Sequence, residues 1–276
     1  MPIIHAIVLG ITQGLSEFLP ISSSGHLILV PWLFHWHDFA NNESLNKAFD
    51  VALHMGTFVG AVAYFRKDLW AYLRAGLRSI GHRSIETTDE RLAWLLLLSA
   101  VPGAIAGALG ESVIDDHLGK PVLIAIMLIV FGAVLYWADR LPGRRDVGEF
   151  RFREAAWMGL AQAAALQPGV SRSGVTITAG RVLGFDRDAA ARISFLMSIP
   201  IIGGAGLYKG AKLMANGGIP HGSGPAFLWG ILASGLTGFI AIWGLLRIVR
   251  TRSFTPFVLY RFAAGAFILV VAGLRA

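Results

Sequence analysis

Residues 13–26 read Gln13-Gly14-Leu15-Ser16-Glu17-Phe18-Leu19-Pro20-Ile21-Ser22-Ser23-Ser24-Gly25-His26. They lie within an otherwise strongly apolar segment, 1–34. An ionised side chain at bilayer depth costs roughly 2.5–3.5 kcal/mol on insertion scales, so a carboxylate, a histidine and adjacent hydroxyls here mark a site. Gly10, Gly14, Pro20 and Gly25 interrupt the segment. Two half-helices meeting near 20–24, a re-entrant hairpin over 3–34, fit this better than one span. Irregular backbone at membrane depth survives only where protein or a watery cavity covers it. A second polar island answers the first: Gln167-Pro168-Gly169-Val170-Ser171-Arg172-Ser173-Gly174-Val175-Thr176, within an apolar stretch broken at Pro168, Gly169 and Gly174. It reads as a second re-entrant hairpin, 155–182, and the two islands are expected to form one site.

Composition sets the class. The chain of 276 residues is 55% hydrophobic and only 15% charged, against about a quarter charged in soluble proteins. Its 33 glycines suit packed transmembrane helices. The apolar runs are continuous rather than alternating, which excludes a transmembrane barrel. There is no cysteine, hence no disulfide framework and no thiol chemistry. No Lys or Arg opens the chain, so no signal-peptide n-region is expected. The net charge of +7 does not indicate nucleic acid, because the basic residues sit in loops between apolar runs, the positive-inside pattern.

Spans are expected at 49–65, 92–109, 121–138, 189–207, 225–246 and 256–273. Between them lie a polar loop at 35–47, a charged loop at 66–91 with an amphipathic surface helix around 70–80, a short acidic loop at 110–120, basic loops at 139–154 and 247–255, and a glycine-rich loop at 208–224. The pattern restarts half-way. Adding 149 to Gly10, Gln13, Ser22, Ser24 and Gly25 gives Gly159, Gln162, Ser171, Ser173 and Gly174; adding 135 to Trp94, Ser99, Gly103, Pro121 and Arg140 gives Trp229, Ser234, Gly238, Pro256 and Arg275. Each repeat, 1–140 and 155–276, holds one hairpin and three spans. Three is odd, so the second copy enters from the opposite side, and the site is expected at mid-membrane where the copies meet. The expected fold is one integral membrane domain over 1–276: an all-α polytopic membrane protein with six transmembrane helices and two re-entrant helical hairpins in two inverted-topology repeats. Six basic residues in 66–91, five in 139–154, three in 247–255 and Arg181, Arg187 and Arg192 fall on one side, against Lys47, Lys120, Lys209, Lys212 and Arg275 on the other. Both termini are therefore expected outside.

The islands carry groups suited to phosphate chemistry. Ser23 or a neighbour supplies a hydroxyl, and His26, three residues on, is placed to share its helical face and act as base. Glu17 can hold a hard cation through oxygen. Arg172 binds phosphate oxygens in a fork. Ser171, Ser173 and Thr176 add hydroxyls, and Gly169 and Gly174 let backbone N–H groups approach. Arg261, less than two turns past its loop, is expected to snorkel to the inner surface. His54, one turn into the first span, is equivocal, and Asp50 marks a helix start.

At these residues the chain resembles the undecaprenyl-diphosphate phosphatases, a family linked to bacitracin resistance. Gln13 and Glu17 match its Glu/Gln-x-x-x-Glu motif, Ser22 to His26 its Ser-Ser-Ser/Thr-Gly-His element, and Pro168 to Thr176 its Pro-Gly-x-Ser-Arg-Ser-x-x-Thr motif. Phe18-Leu19-Pro20 and Pro256 to Phe262 are also similar. The resemblance implies a bacterial plasma-membrane enzyme that removes the terminal phosphate of a C55 polyprenyl diphosphate, returning the carrier lipid to cell-wall synthesis, with a site open to the outer face. It implies Mg²⁺ or Ca²⁺ as cofactor, held by Glu17 and Gln13; many members have Glu where this chain has Gln13. Combining both lines, Arg172, Ser171, Ser173 and Thr176 clamp the diphosphate with Ser22, Ser24, Gly169 and Gly174 around it, and Ser23 attacks with His26 as base. His26 as nucleophile, or as activator of water, stays open. The lipid substrate would enter sideways between helices. Membrane lipids are the other expected partners, no nucleic acid is, and a homodimer is left open. A polyprenyl-phosphate flippase, alone or combined with the phosphatase, is the alternative, because inverted repeats with broken helices also build transporters.

Overall fold

The computed structural model describes residues 1–38, 43–215, 218 and 222–275, the side chains of 43, 44 and 110–117 excepted. Among these residues there are eleven α-helices: α1 (Ile3–Phe18), α2 (Ser23–Phe34), α3 (Glu43–Tyr64), α4 (Arg66–His82), α5 (Thr88–His117), α6 (Pro121–Asp139), α7 (Phe152–Ala164), α8 (Arg172–Val182), α9 (Arg187–Ala215), α10 (Gly224–Val249) and α11 (Thr255–Leu274).

Length separates the spanning helices from the rest. A hydrocarbon core about 30 Å thick needs about 20 residues at about 1.5 Å each. Five helices meet the length and composition: Thr88–Leu109 within α5, and α6, α9, α10 and α11. A sixth is reached if Leu45–Tyr64 and Arg66–His82, bent by 81°, count as one span. The chain is a multi-pass helical membrane protein. The helices of the first pair, 16 and 12 residues long, and those of the second, 13 and 11, each fall short of that length.

The two breaks are built alike. Ser22 stands before α2 at φ 78° and its hydroxyl accepts from the Gly25 N–H at 3.4 Å. Ser171 stands before α8 at φ 75° and accepts from the Gly174 N–H at 3.1 Å. A positive φ is uncommon away from glycine, so the serine hydroxyl caps the helix from a strained backbone. Ile3 and Phe152, which open α1 and α7, are again related by adding 149, as are Ser23 and Arg172, which open α2 and α8.

Helix α1 lies along α10, α10 along α3, α11 along α6 and α5 along α7. The first contact depends on a missing side chain: a Cβ on Gly10 would stand 2.5 Å from the Gly230 carbonyl oxygen. The main core cluster joins Phe18, Phe65, Phe150, Phe185, Phe195 and Phe254, all fully buried. Basic residues gather at one end, where Arg187 pairs with Asp139 at 2.6 Å, Arg192 with Asp68 at 3.2 Å and Arg250 with Asp188 at 3.0 Å. At the other end Met1 and Trp36 pack with Leu45 and Ala48, and Arg275 caps α2 through the Trp32 and Leu33 carbonyls at 2.9 Å. Both termini therefore share the end away from the basic loops.

Several expected boundaries shift. Helix α3 begins at Glu43, inside the expected loop 35–47, of which 39–42 lie outside the described residues. Helix α5 runs on to His117 through most of the expected loop 110–120. Helix α9 continues to Ala215 through half of the expected loop 208–224, of which 216–217 and 219–221 lie outside the described residues. Hydropathy ends where apolar residues end, whereas a helix runs on through good formers such as Ala211, Lys212, Leu213 and Met214.

Candidate active site

The site is assembled where the two breaks touch. Glu17 ends the last turn of α1 and is 5% exposed. The Ser23 hydroxyl, from the first residue of α2, donates to Glu17 Oε2 at 2.6 Å, and Gln13 Nε2 donates to the same oxygen at 3.0 Å. Arg172, the first residue of α8, reaches across: Nε and Nη2 donate to Glu17 Oε1 at 3.3 and 3.1 Å. Nη2 also donates to the Glu17 carbonyl at 3.4 Å, and Nη1 to the Ser194 carbonyl at 3.3 Å. Carboxylate, hydroxyl and guanidinium thus form one hydrogen-bonded set spanning both hairpins.

This set lines a cavity of about 370 Å³ together with Ser24, with Lys47, Asp50 and His54 of α3, Gln162 of α7 and Lys209 of α9. Lys47 and Lys209 place the cavity toward the end that carries the termini. Two helices begin at its wall, and first-turn N–H groups lack acceptors within their own helix. Ser23 and Arg172 therefore stand where helix dipoles favour an anion.

The structure keeps other expected site residues out of the cavity lining. Ser22 accepts from the Gly169 N–H at 3.0 Å, tying the first break to the second. Ser171 caps α8. The Ser173 hydroxyl donates to the Leu19 carbonyl at 3.0 Å, and Thr176 to the Arg172 carbonyl at 2.7 Å. Ser22, Ser171, Ser173 and Thr176 are all at most 2% exposed. Gly169 and Gly174 give their N–H groups to serine hydroxyls. These residues hold the breaks in shape, while Glu17, Ser23, Ser24 and Arg172 face the cavity.

The expected Ser23–His26 pair is not formed. His26 Nδ1 lies 2.6 Å from the Ser22 carbonyl; a carbonyl only accepts, so Nδ1 carries the proton. In the neutral ring Nε2 is then left to accept from the Tyr260 hydroxyl at 2.7 Å. The bond back to Ser22 turns the imidazole toward α11, whereas Ser23 points across the break to α1. Arg261 also departs from expectation. It does not snorkel but is 0% exposed, because backbone carbonyls freed at both breaks surround it.

Sequence reasoning left His54 equivocal, read Asp50 as a helix start and Gln162 only as a repeat match, and did not bring Lys47 or Lys209 to the site. His54 Nδ1 faces the Asp50 carbonyl at 2.8 Å, and Nε2 stands 3.7 Å from Glu17 Oε2. Its placement one turn into an apolar helix was the available signal.

As they stand, Glu17 and Gln13 present no free pair of oxygens to a resident Mg²⁺ or Ca²⁺ ion. Both Glu17 oxygens are taken by donors, including a guanidinium. Gln13 turns its N–H toward Glu17, leaving its buried Oε1 unpartnered on the other side. No group of three or more His, Cys, Asp or Glu suited to a metal occurs among the described residues; Ca²⁺ takes about six to eight oxygens, whereas Mg²⁺ is held by one or two carboxylates together with substrate phosphates.

The sequence profile of the family described as Bacitracin resistance protein BacA matches residues 6–267, which include both breaks. The chain belongs to this family. Similar relatives include the undecaprenyl-diphosphatase of Pelobacter propionicus, 46% identical over 273 residues, covering 98% of this chain and 97% of the relative. That of Pelotomaculum thermopropionicum is 46% identical over 276 residues, covering 100% and 98%, and that of Moorella thermoacetica is 43% identical over 276 residues, covering the whole of both. Family membership therefore extends through α11, whose Tyr260 and Arg261 meet the hairpins, as well as through the two motifs.

Proposed function

We propose that the protein is a membrane phosphatase that hydrolyses undecaprenyl diphosphate to undecaprenyl phosphate and inorganic phosphate. One observation carries this: a nucleophile-grade hydroxyl, a carboxylate able to take its proton and an arginine able to bind phosphate oxygens converge on one cavity at two helix N-termini. That combination suits phosphoryl transfer, where catalysis is mainly positioning and charge neutralisation.

The Ser23 oxygen attacks the terminal phosphorus as its proton passes to Glu17 Oε2. The bond from that phosphorus to the bridging oxygen breaks, and undecaprenyl phosphate leaves with the bridging electrons and takes the proton held by Glu17, which is again a carboxylate. Arg172 and the first-turn N–H groups of α2 and α8 take up charge on the terminal phosphoryl oxygens. Water then attacks the phosphoserine as it loses a proton to Glu17, the bond from phosphorus to the Ser23 oxygen breaks, and that oxygen takes the proton back from Glu17 as inorganic phosphate is released. In this reading Glu17 replaces His26 as base, and Ser171, Ser173 and Thr176 act by fixing the breaks.

The reading includes placement. Six spans and two hairpins form inverted repeats over 1–140 and 155–276, in a bacterial inner membrane with the basic end inside. The cavity then opens outward, toward lipid carrier released by cell-wall synthesis, and the product is returned to that pathway. The prenyl chain stays in the bilayer, since each buried CH₂ is worth about 0.8 kcal/mol, so the diphosphate enters from the side. Phosphate release from polyprenyl diphosphate by purified protein in detergent tests the activity. No release, with transbilayer movement of labelled polyprenyl phosphate in vesicles, would establish a carrier instead.

A further inference from the structure

Among the described residues Arg261 is the largest fully buried side chain. Among the described residues no carboxylate lies within ion-pair distance of it, although it is a cation in the membrane interior. Its partners are backbone carbonyls. Nε donates to Leu128 O at 3.0 Å, Nη1 to Pro20 O at 3.1 Å, and Nη2 to Gly169 O at 2.8 Å, Val170 O at 3.1 Å and Met127 O at 3.3 Å. Pro20 lies in the break three residues before Ser23. Gly169 and Val170 lie in the other break, three and two residues before Arg172. One guanidinium thus holds both breaks and the α6 backbone behind them.

A buried cation without a counter-ion is a poor choice for stability alone, since desolvating it is costly and apolar replacements of similar volume often stabilise. A planar fork with five donors in fixed directions is, however, suited to fastening several carbonyls at set distances. The surroundings leave it little room: a Cβ on Gly174 would stand 3.0 Å from Nη1.

We propose that Arg261 is a positioning residue for the reaction. It fixes the separation between the start of α2, which carries Ser23, and the start of α8, which carries Arg172, without touching substrate. The proposal rests on placing Ser23 and Arg172 at the reacting centre. The distance measurement below does not depend on that placement.

The absence of cysteine permits one pair of spin labels. Phe34→Cys and Val182→Cys, at the exposed far ends of α2 and α8, report the relation between those helices by electron–electron double resonance. In Arg261→Gln the distance distribution should at least double in width. Its kcat should fall about a hundredfold, the scale of a misplacement of about 1 Å, while KM stays within about threefold because Arg261 does not line the cavity. Arg261→Lys, which keeps the charge but not the fork, should fall between wild type and Arg261→Gln. Gly174→Ala, which presses on the guanidinium from the other side, should broaden the distribution with Arg261 in place. A kcat within threefold of wild type in folded Arg261→Gln overturns the proposal, as does lost kcat with an unchanged distribution. Failure of all three variants to fold would make Arg261 a stability residue and overturn it as well. If wild-type protein releases no phosphate while Arg261→Gln still broadens the distribution, the fastening role stands and the phosphatase reading is rejected.

Discussion

The hydroxyl of Ser23 and the carboxylate of Glu17 stand 2.6 Å apart across the break of the first hairpin, while Arg172 from the second hairpin holds the other oxygen of that carboxylate at 3.1 Å. Glu17 is therefore both the group placed to take the Ser23 proton and the group that holds Arg172 in its waiting position. In the proposed reaction an incoming diphosphate competes with Glu17 for the guanidinium. Substrate binding and release of the carboxylate from its ion pair are thereby linked in one exchange of partners.

Removing either end of the Ser23–Glu17 pair should abolish the same step. Ser23→Ala and Glu17→Gln are each expected to lower the rate of phosphate release by at least about a hundredfold, the usual scale for acid–base groups. The double variant should be little worse than either single one, because groups acting as a unit are not additive. Independent, multiplying losses would separate the two residues mechanistically.

His26 should behave differently. Its ring is anchored between the Ser22 carbonyl and Tyr260, so its loss removes a buried hydrogen bond at the cap of α2 and costs about 1–3 kcal/mol of stability. His26→Gln, able to keep a donor near Ser22, is expected to retain clearly more activity than Glu17→Gln. Equal loss in the two variants, with melting temperature unchanged, would return the imidazole to the chemistry.

Arg172→Lys keeps a cation but loses the fork that reaches Glu17 Oε1 through two nitrogens. Turnover should fall by at least about tenfold, and Arg172→Ala should fall further. Affinity for a non-hydrolysable diphosphate, followed by calorimetry, should weaken in the same order. Unchanged affinity in Arg172→Ala would remove the arginine from substrate binding.

The sequence made the two breaks legible because a polar group at membrane depth is costly, and Pro20, Gly169 and the serine clusters have no other easy explanation there. It also made Glu17, Ser23 and Arg172 stand out. It could not divide the remaining hydroxyls between cavity and scaffold, since Ser22 and Ser24 are alike in composition and differ only in the backbone at Ser22. It misread Arg261, because closeness to a loop in sequence says nothing about which carbonyls wait in the interior. The partner of Ser23 was decided by the direction of one imidazole, set by a hydrogen bond to Ser22 that spacing alone does not reveal.

Gly169 supplies a test of the scaffold. It sits at φ +95°, and a Cβ there would stand 2.5 Å from the Ile124 carbonyl oxygen, while its N–H caps Ser22 and its carbonyl meets Arg261. Gly169→Ala should destabilise the protein by at least about 1–3 kcal/mol from backbone strain alone, read as a lower midpoint of thermal inactivation. A midpoint within a degree of wild type would show that the second break can relax without consequence.

Orientation can be checked with single cysteines in the cysteine-free chain. His37 is exposed at the end that carries both termini, and Arg153, 75% exposed, lies in the first turn of α7 among the basic loops. Basic loops stay on the cytoplasmic side of a bacterial inner membrane, so His37→Cys should react with a membrane-impermeant maleimide in intact cells. Arg153→Cys should react only after the membrane is opened. The cavity bearing Lys47 and Lys209 would then face outward, where the anionic headgroup of a spent carrier lipid arrives. The reverse labelling pattern would turn the cavity toward the cytoplasm and require the protein to act on newly made polyprenyl diphosphate at the inner leaflet.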